Sequence, residues 1–178
     1  MLAQLLEQPL DKPNVDWFAV SPVLALVTGA LVILLLASLT RRRGFAGSYA
    51  FLSIVTGLVA LGLSFWQWRV IVANGDAGGP RSVINGSVGV DGFSIFFSVL
   101  ICSSVVLASL LSESYFRREG VDRPEPFVLL LLSATGGIVM GSANDLIVMF
   151  LGLEVLSIAA YVLAALHLRR LNSQEAAI

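Results

Sequence analysis

The chain has 178 residues, is 57% hydrophobic and 13% charged, and carries a net charge of −1 with a mean hydropathy of +0.88. A soluble domain is nearer roughly 45–50% apolar and 25% charged, so this chain has too little polar surface to solvate a globule of its size and needs lipid as part of its solvent. Near-neutrality excludes a basic nucleic-acid surface. The lone cysteine, Cys102, excludes an intramolecular disulfide and, set in an apolar run, reads as a buried inert thiol and not as part of a metal cluster.

Taken in chain order, residues 1–17 form an external N-terminal segment, and no basic stretch precedes the first apolar run, so no cleavable signal peptide is expected. A helix needs roughly 20 apolar residues to cross a bilayer core. Runs at 18–39, 46–68 and 92–111 meet that length without a charge. A shorter run follows at 126–143, and 146–168 is uncharged except for Glu154. The fold class is therefore all-α: a polytopic membrane helix bundle of about five transmembrane helices. Its connections are a polar, Gly-rich external loop at 70–90, a cytoplasmic loop at 112–125 and a cytoplasmic tail at 169–178.

The ends of the runs carry interfacial features. Trp17, Trp66 and Trp68 fall where an aromatic belt sits, and Arg69 is placed to snorkel toward phosphate. Asp91 precedes the third run and Asp145 the fifth, both positioned as helix N-caps whose carboxylates accept orphan amide hydrogens. Ser133, Gly137 and Gly141 repeat every four residues in the fourth run, with Gly136 beside them, a small-residue stripe that lets another helix approach closely in lipid. Asn85-Gly86-Ser87 matches a glycosylation sequon of a length common by chance and carries no weight.

Orientation follows from the basic residues. Under strict alternation Arg41, Arg42, Arg43, Arg117, Arg118, Arg123, Arg169 and Arg170 fall on one side, and Lys12, Arg69 and Arg81 on the other. The positive-inside rule then places the N-terminus outside and the C-terminal tail in the cytoplasm, which for a bacterial protein means the inner (plasma) membrane.

Of the 11 basic and 12 acidic side chains, Glu154 alone lies well inside a run. At about 1.5 Å rise per residue it is about 13 Å from Asp145 and about 22 Å from Arg169, near the bilayer midplane. An ionised group there costs about 2.5–3.5 kcal/mol on insertion scales, and no opposite charge in these five runs compensates it. Desolvation favours the neutral acid and a nearby ammonium the anion, so a carboxyl so placed is suited to proton transfer. The plainer alternative is a neutral acid hydrogen-bonded between helices. Helical spacing puts Ser157 at i+3 and Tyr161 at i+7, two hydroxyls that would order water beside it. A bond from Ser157 back to the Leu153 carbonyl, and ordinary packing of Tyr161, account for both residues as well. His167, next to Arg169 and Arg170, reads as an interfacial histidine at a helix C-terminus.

Residues 142–165, SANDLIVMFLGLEVLSIAAYVLAA, resemble the fifth helix of the antiporter-like subunits of respiratory NADH:quinone oxidoreductase (complex I). The strings that carry the likeness are Asn144-Asp145-Leu146, LGLEVLS at 151–157 and Tyr161-Val162-Leu163, supported upstream by VDGFSIFF at 90–97 and by Ser114-Tyr115. Within that set the chain is most similar to subunit N. The likeness covers about half the chain, residues 90–178; the first two runs match in hydropathy only.

The resemblance implies a membrane-arm subunit that takes part in proton translocation coupled to electron transfer, with the family's helix-five glutamate carried onto Glu154. It implies no cofactor in this chain, with NADH, FMN, iron–sulfur clusters and quinone in partner subunits, and other membrane-arm subunits and the lipid bilayer as partners, with no nucleic acid. The family's later-helix lysines have no counterpart, since the one lysine is Lys12. The tail SQEAAI at 173–178 is similar to the start of a further helix, so a truncated chain is expected. Two other readings stay open: a subunit of a multisubunit cation/proton antiporter or membrane-bound hydrogenase, and a structural helix bundle in which Glu154 merely pairs neighbouring helices.

Overall fold

The computed structural model of the chain describes residues 15–39, 47–71, 81–118 and 123–165, apart from the side chain of Arg117. Five helices account for most of them: α1 Ser21–Leu39, α2 Ser48–Ile71, α3 Gly92–Arg118, α4 Glu125–Gly141 and α5 Leu146–Ala164. Four are long and apolar enough to cross a membrane, and the fifth, α4, has 17 residues, about 25 Å of helix. The architecture is a helical membrane bundle, and each of the five apolar runs is one helix. Lys12, Arg41, Arg42, Arg43, His167, Arg169, Arg170 and residues 173–178 lie outside the described residues.

Local chemistry sets the helix ends. Pro22 occupies the first turn of α1 and Pro126 that of α4, where a missing N–H costs nothing and the fixed φ suits the helix. Asp91 Oδ1 accepts from the Ser94 amide at 2.8 Å, and Ser94 Oγ accepts from the Asp91 amide at 2.9 Å, a reciprocal cap that satisfies two donors at the start of α3. The Asp145 carboxylate accepts from the Ile147 amide at 3.2 Å and starts α5.

Two connections differ from the sequence reading. The loop placed at 112–125 begins later, because α3 continues to Arg118. Helix formation needs only internal hydrogen bonds, so polar residues such as Glu113 and Ser114 extend the helix beyond its apolar stretch. The loop placed at 70–90 contains an antiparallel hairpin, β1 Arg81–Val83 and β2 Val88–Val90, with Arg81 opposite Val90 and Val83 opposite Val88. Its turn takes positive φ at Ile84, Asn85 and Gly86, conformations that asparagine and glycine supply readily and isoleucine does not. Val83 and Val90 are buried with Ile71 and Ile95 in a small apolar cluster, and that burial holds the turn.

Helices α1 to α4 form a four-helix core, with α1 packed on α2 and α4, and α3 on α2 and α4. The buried positions of α2, namely Ala50, Ser53, Gly57, Ala60, Ser64, Gln67 and Ile71, alternate three and four residues apart. That spacing is the seam of left-handed helix pairs, and small side chains there let backbones approach in lipid, where no hydrophobic force drives helices together. Ser53 and Ser109, both fully buried, share a 2.8 Å hydrogen bond across the α2–α3 seam.

The shortest helix is the most enclosed: nine residues of α4 are buried. In contrast α5 buries only Gly152 and Ala159 and packs chiefly against α4. Its start is tied to the hairpin. Gly89 N donates to Ser142 O at 2.8 Å, Asn144 N donates to Ser87 O at 2.9 Å, and Val88 bridges Ala143. The α4–α5 link thus meets β2 through one isolated antiparallel bridge.

Candidate functional site

Glu154 is the ninth residue of α5, about 12 Å from its first residue and 15 Å from its last. The other charged residues of the described helices are Arg69, Glu113, Arg117, Arg118 and Glu125, each in or near a terminal turn. Glu154 is therefore the carboxylate placed mid-helix, and it is partly buried. Among the described residues it forms no hydrogen bond or ion pair; the ion pair they contain is the exposed Arg81–Asp16 contact of 3.5 Å near the hairpin.

The direction of Glu154 follows from how α5 is docked. A Cβ on Gly152 would lie 2.7 Å from Met140 N, and one on Gly136 would lie 2.5 Å from Leu156 N and 2.6 Å from Gly152 O. These are backbone contacts that admit only glycine, so Gly136 and Gly152 mark the line where α4 and α5 touch. At about 100° per residue, Glu154 lies about 160° round the helix from both Gly152 and Leu156. It faces away from α4. Ile147, Phe150, Ile158 and Tyr161 share its face, and each is more than half exposed.

The neighbouring hydroxyls take other partners. Ser157 Oγ donates to the Leu153 carbonyl, a bond within its own helix of the kind that competes with longer-range roles. Tyr161 is 62% exposed and lies on the open face. The structure does not bring either hydroxyl into a hydrogen bond with Glu154. The capping carboxylates Asp91 and Asp145 stand at helix starts, away from Glu154 along the helix axis.

The stripe of Ser133, Gly137 and Gly141 meets α3: a Cβ on Gly137 would lie 3.2 Å from Ile101, and one on Gly141 3.3 Å from Phe97. Ser133 lines a shallow groove with Ile101, Ala108 and Leu156. The tighter pair, Gly136 with Gly152, carries α5. Sequence reasoning passed over Gly152, although it lies inside the string LGLEVLS that held the attention. It also passed over Gln67, 2% exposed, whose polarity inside an apolar run was the available signal.

No family model matches the chain. It is 37% identical over 157 residues to the NADH-quinone oxidoreductase subunit N of Methylobacterium nodulans, covering 88% of this chain and 31% of that protein. It is 30% identical over 164 residues to subunit N 2 of Roseiflexus castenholzii, covering 92% of this chain and 31% of the relative. It is 34% identical over 155 residues to the chloroplastic NAD(P)H-quinone oxidoreductase subunit 2 of Chlorokybus atmophyticus, covering 86% and 28%. The chain spans about a third of the length of the curated relatives it matches. Similarity of this extent, running through the hairpin and all five helices, makes the chain a member of the subunit N family of NADH-quinone oxidoreductases.

Proposed function

We propose that this chain works within the membrane arm of a proton-pumping NADH:quinone oxidoreductase, where Glu154 takes up and releases a proton during turnover. The observation that carries this reading is the setting of Glu154: mid-helix, partly buried, and unpartnered among the described residues. An ionised carboxylate at that depth costs about 2.5–3.5 kcal/mol unless a cation offsets it. A partner that approaches or withdraws therefore shifts the group between anion and acid. The relatives are about three times as long as this chain, and the face of α5 around Glu154 is the one a further helix would cover.

Under this proposal the N-terminus lies outside and the arginine-rich loops lie in the cytoplasm of a bacterial cell, in its inner membrane. Redox chemistry belongs to partner subunits, and this chain contributes the carboxyl group, its depth and its helix. The test is Glu154→Gln in the full-length protein within its complex. Assembly should be retained while protons moved per NADH oxidised fall severalfold. Unchanged stoichiometry and rate would remove Glu154 from the path. Copurification of the chain with cation/proton antiporter components, and not with NADH-oxidising subunits, would transfer it to that class.

A further inference from the structure

A cavity of about 320 Å³ lies at the hairpin end of the bundle, between the start of α1, the end of α2, β2, the start of α3 and the end of α4. Its walls are largely apolar, with Pro22, Val23, Ile95 and Ile138 among them, and its polar groups are one glutamine and a few serines. The hydrogen-bond inventory of those polar groups has an unusual sign. Gln67 Nε2 donates to Phe18 O at 2.6 Å and to Ala19 O at 3.0 Å. Two carbonyls on that side fix the amide, since only the nitrogen can face them. Gln67 Oε1 is then directed the other way. It accepts nothing from any described residue, and Gln67 is one of the residues that line the cavity.

The serines behave alike. Ser94 Oγ donates to Asp91 O, Ser98 Oγ to Ser94 O, and Ser142 Oγ to Ile138 O, at 2.9–3.0 Å. A hydroxyl has one proton, so each presents only lone pairs to the cavity. Ser87 is the lining hydroxyl whose proton is not committed in this way among the described residues. The side chains thus offer acceptors and almost no donors, inside apolar walls. An anion would meet lone pairs, and a cation would find no carboxylate among the lining residues to offset its desolvation.

We propose that this cavity is a binding site for a small, neutral, apolar molecule that donates a hydrogen bond, such as an alcohol or a phenol. The apolar body fills the space between Val23, Ile95 and Ile138, and its hydroxyl donates to Gln67 Oε1 or Ser98 Oγ. Pockets of about 300 Å³ with few, convergent polar groups are the ordinary form of small-molecule sites. The site is independent of Glu154, which lies on the opposite face of α5 from the bundle.

The probe pair is 1-naphthol and naphthalene, which differ by the donor alone, with 1-naphthoate as the anion. Binding is measured by equilibrium dialysis of the full-length protein in nanodiscs against protein-free nanodiscs. Wild type should hold 1-naphthol saturably and about fivefold or more tighter than naphthalene, the factor that one hydrogen bond of about 1 kcal/mol supplies, with 1-naphthoate weakest. Gln67→Leu should lower the preference for 1-naphthol and leave naphthalene binding. Val139→Phe, which fills the cavity, should abolish both. Because Gln67→Leu also strips two carbonyls of their donor, Ser98→Ala provides a gentler arm and should lower the preference two- to fivefold in a folded protein. The proposal fails if 1-naphthol does not saturate, if it binds no tighter than naphthalene, if Val139→Phe leaves binding intact, or if Ser98→Ala and Gln67→Leu both keep the preference.

Discussion

The contact between α4 and α5 yields a prediction that can be worked from distances. Adding a methyl group at Gly152 places a carbon 2.7 Å from Met140 N and 2.9 Å from Gly136 O, both backbone atoms. Ordinary contacts of this kind need roughly 3.5 Å, so α4 and α5 must part by about 0.7 Å along that line. Over-packing of this order costs about 1–3 kcal/mol. An alanine also gains up to about 1 kcal/mol of helix propensity over glycine, which partly masks the clash. Gly62 in α2 supplies the reference, because a Cβ there meets nothing within 4 Å. Gly62→Ala should be neutral or stabilising by up to about 1 kcal/mol, and the difference between the two variants isolates the packing cost. The double variant Gly136→Ala with Gly152→Ala should cost less than the sum of the singles, since helices already separated accommodate the second methyl. The assay is equilibrium unfolding of the full-length protein in bicelles. If Gly152→Ala is as stable as Gly62→Ala, the backbones do not meet at Gly152, and the direction assigned to Glu154 loses its basis.

Three further outcomes follow from the described contacts. Asp91→Ala and Ser94→Ala should each destabilise by about 1 kcal/mol by opening the reciprocal cap of α3, and the pair should cost clearly less than twice that in the same unfolding assay. Ser53→Ala should cost about 1 kcal/mol, whereas adding Ser109→Ala should cost little more, because Ser109 has already lost its partner across the seam; additive losses would count against that bond. Arg81→Ala should change stability by less than about 0.5 kcal/mol and should have no effect at high salt, since its pair with Asp16 is exposed; a larger, salt-independent loss in a salt titration would show that Arg81 does something else.

Much of the fold was legible because lipid imposes a coarse rule. Backbone groups must be satisfied within each crossing, so five apolar runs declared five helices, and Asp91 and Asp145 marked where two of them start. The hairpin was not legible as such. Residues 70–90 read as a polar loop, since Val83, Val88 and Val90 are too few to signal strands until Ile71 and Ile95 are known to cover them. The candidate site was half legible: a mid-run glutamate stands out by its cost alone, whereas Ser157 and Tyr161 were selected by helical spacing, which says who is adjacent and nothing about where a proton is donated.

What the sequence determined by itself was the class of solvent, the five apolar helices of the described residues and the mid-helix position of Glu154, because each depends on composition and on position along one element. What only the tertiary structure decided was azimuth and neighbourhood. A helix that is apolar all round has no amphipathic face to announce its partner, so neither the enclosure of α4 nor the exposed edge of α5 was encoded in periodicity. The side of α5 that meets α4, and hence the side left to Glu154, was settled by two glycines on different helices whose backbones come within contact of each other.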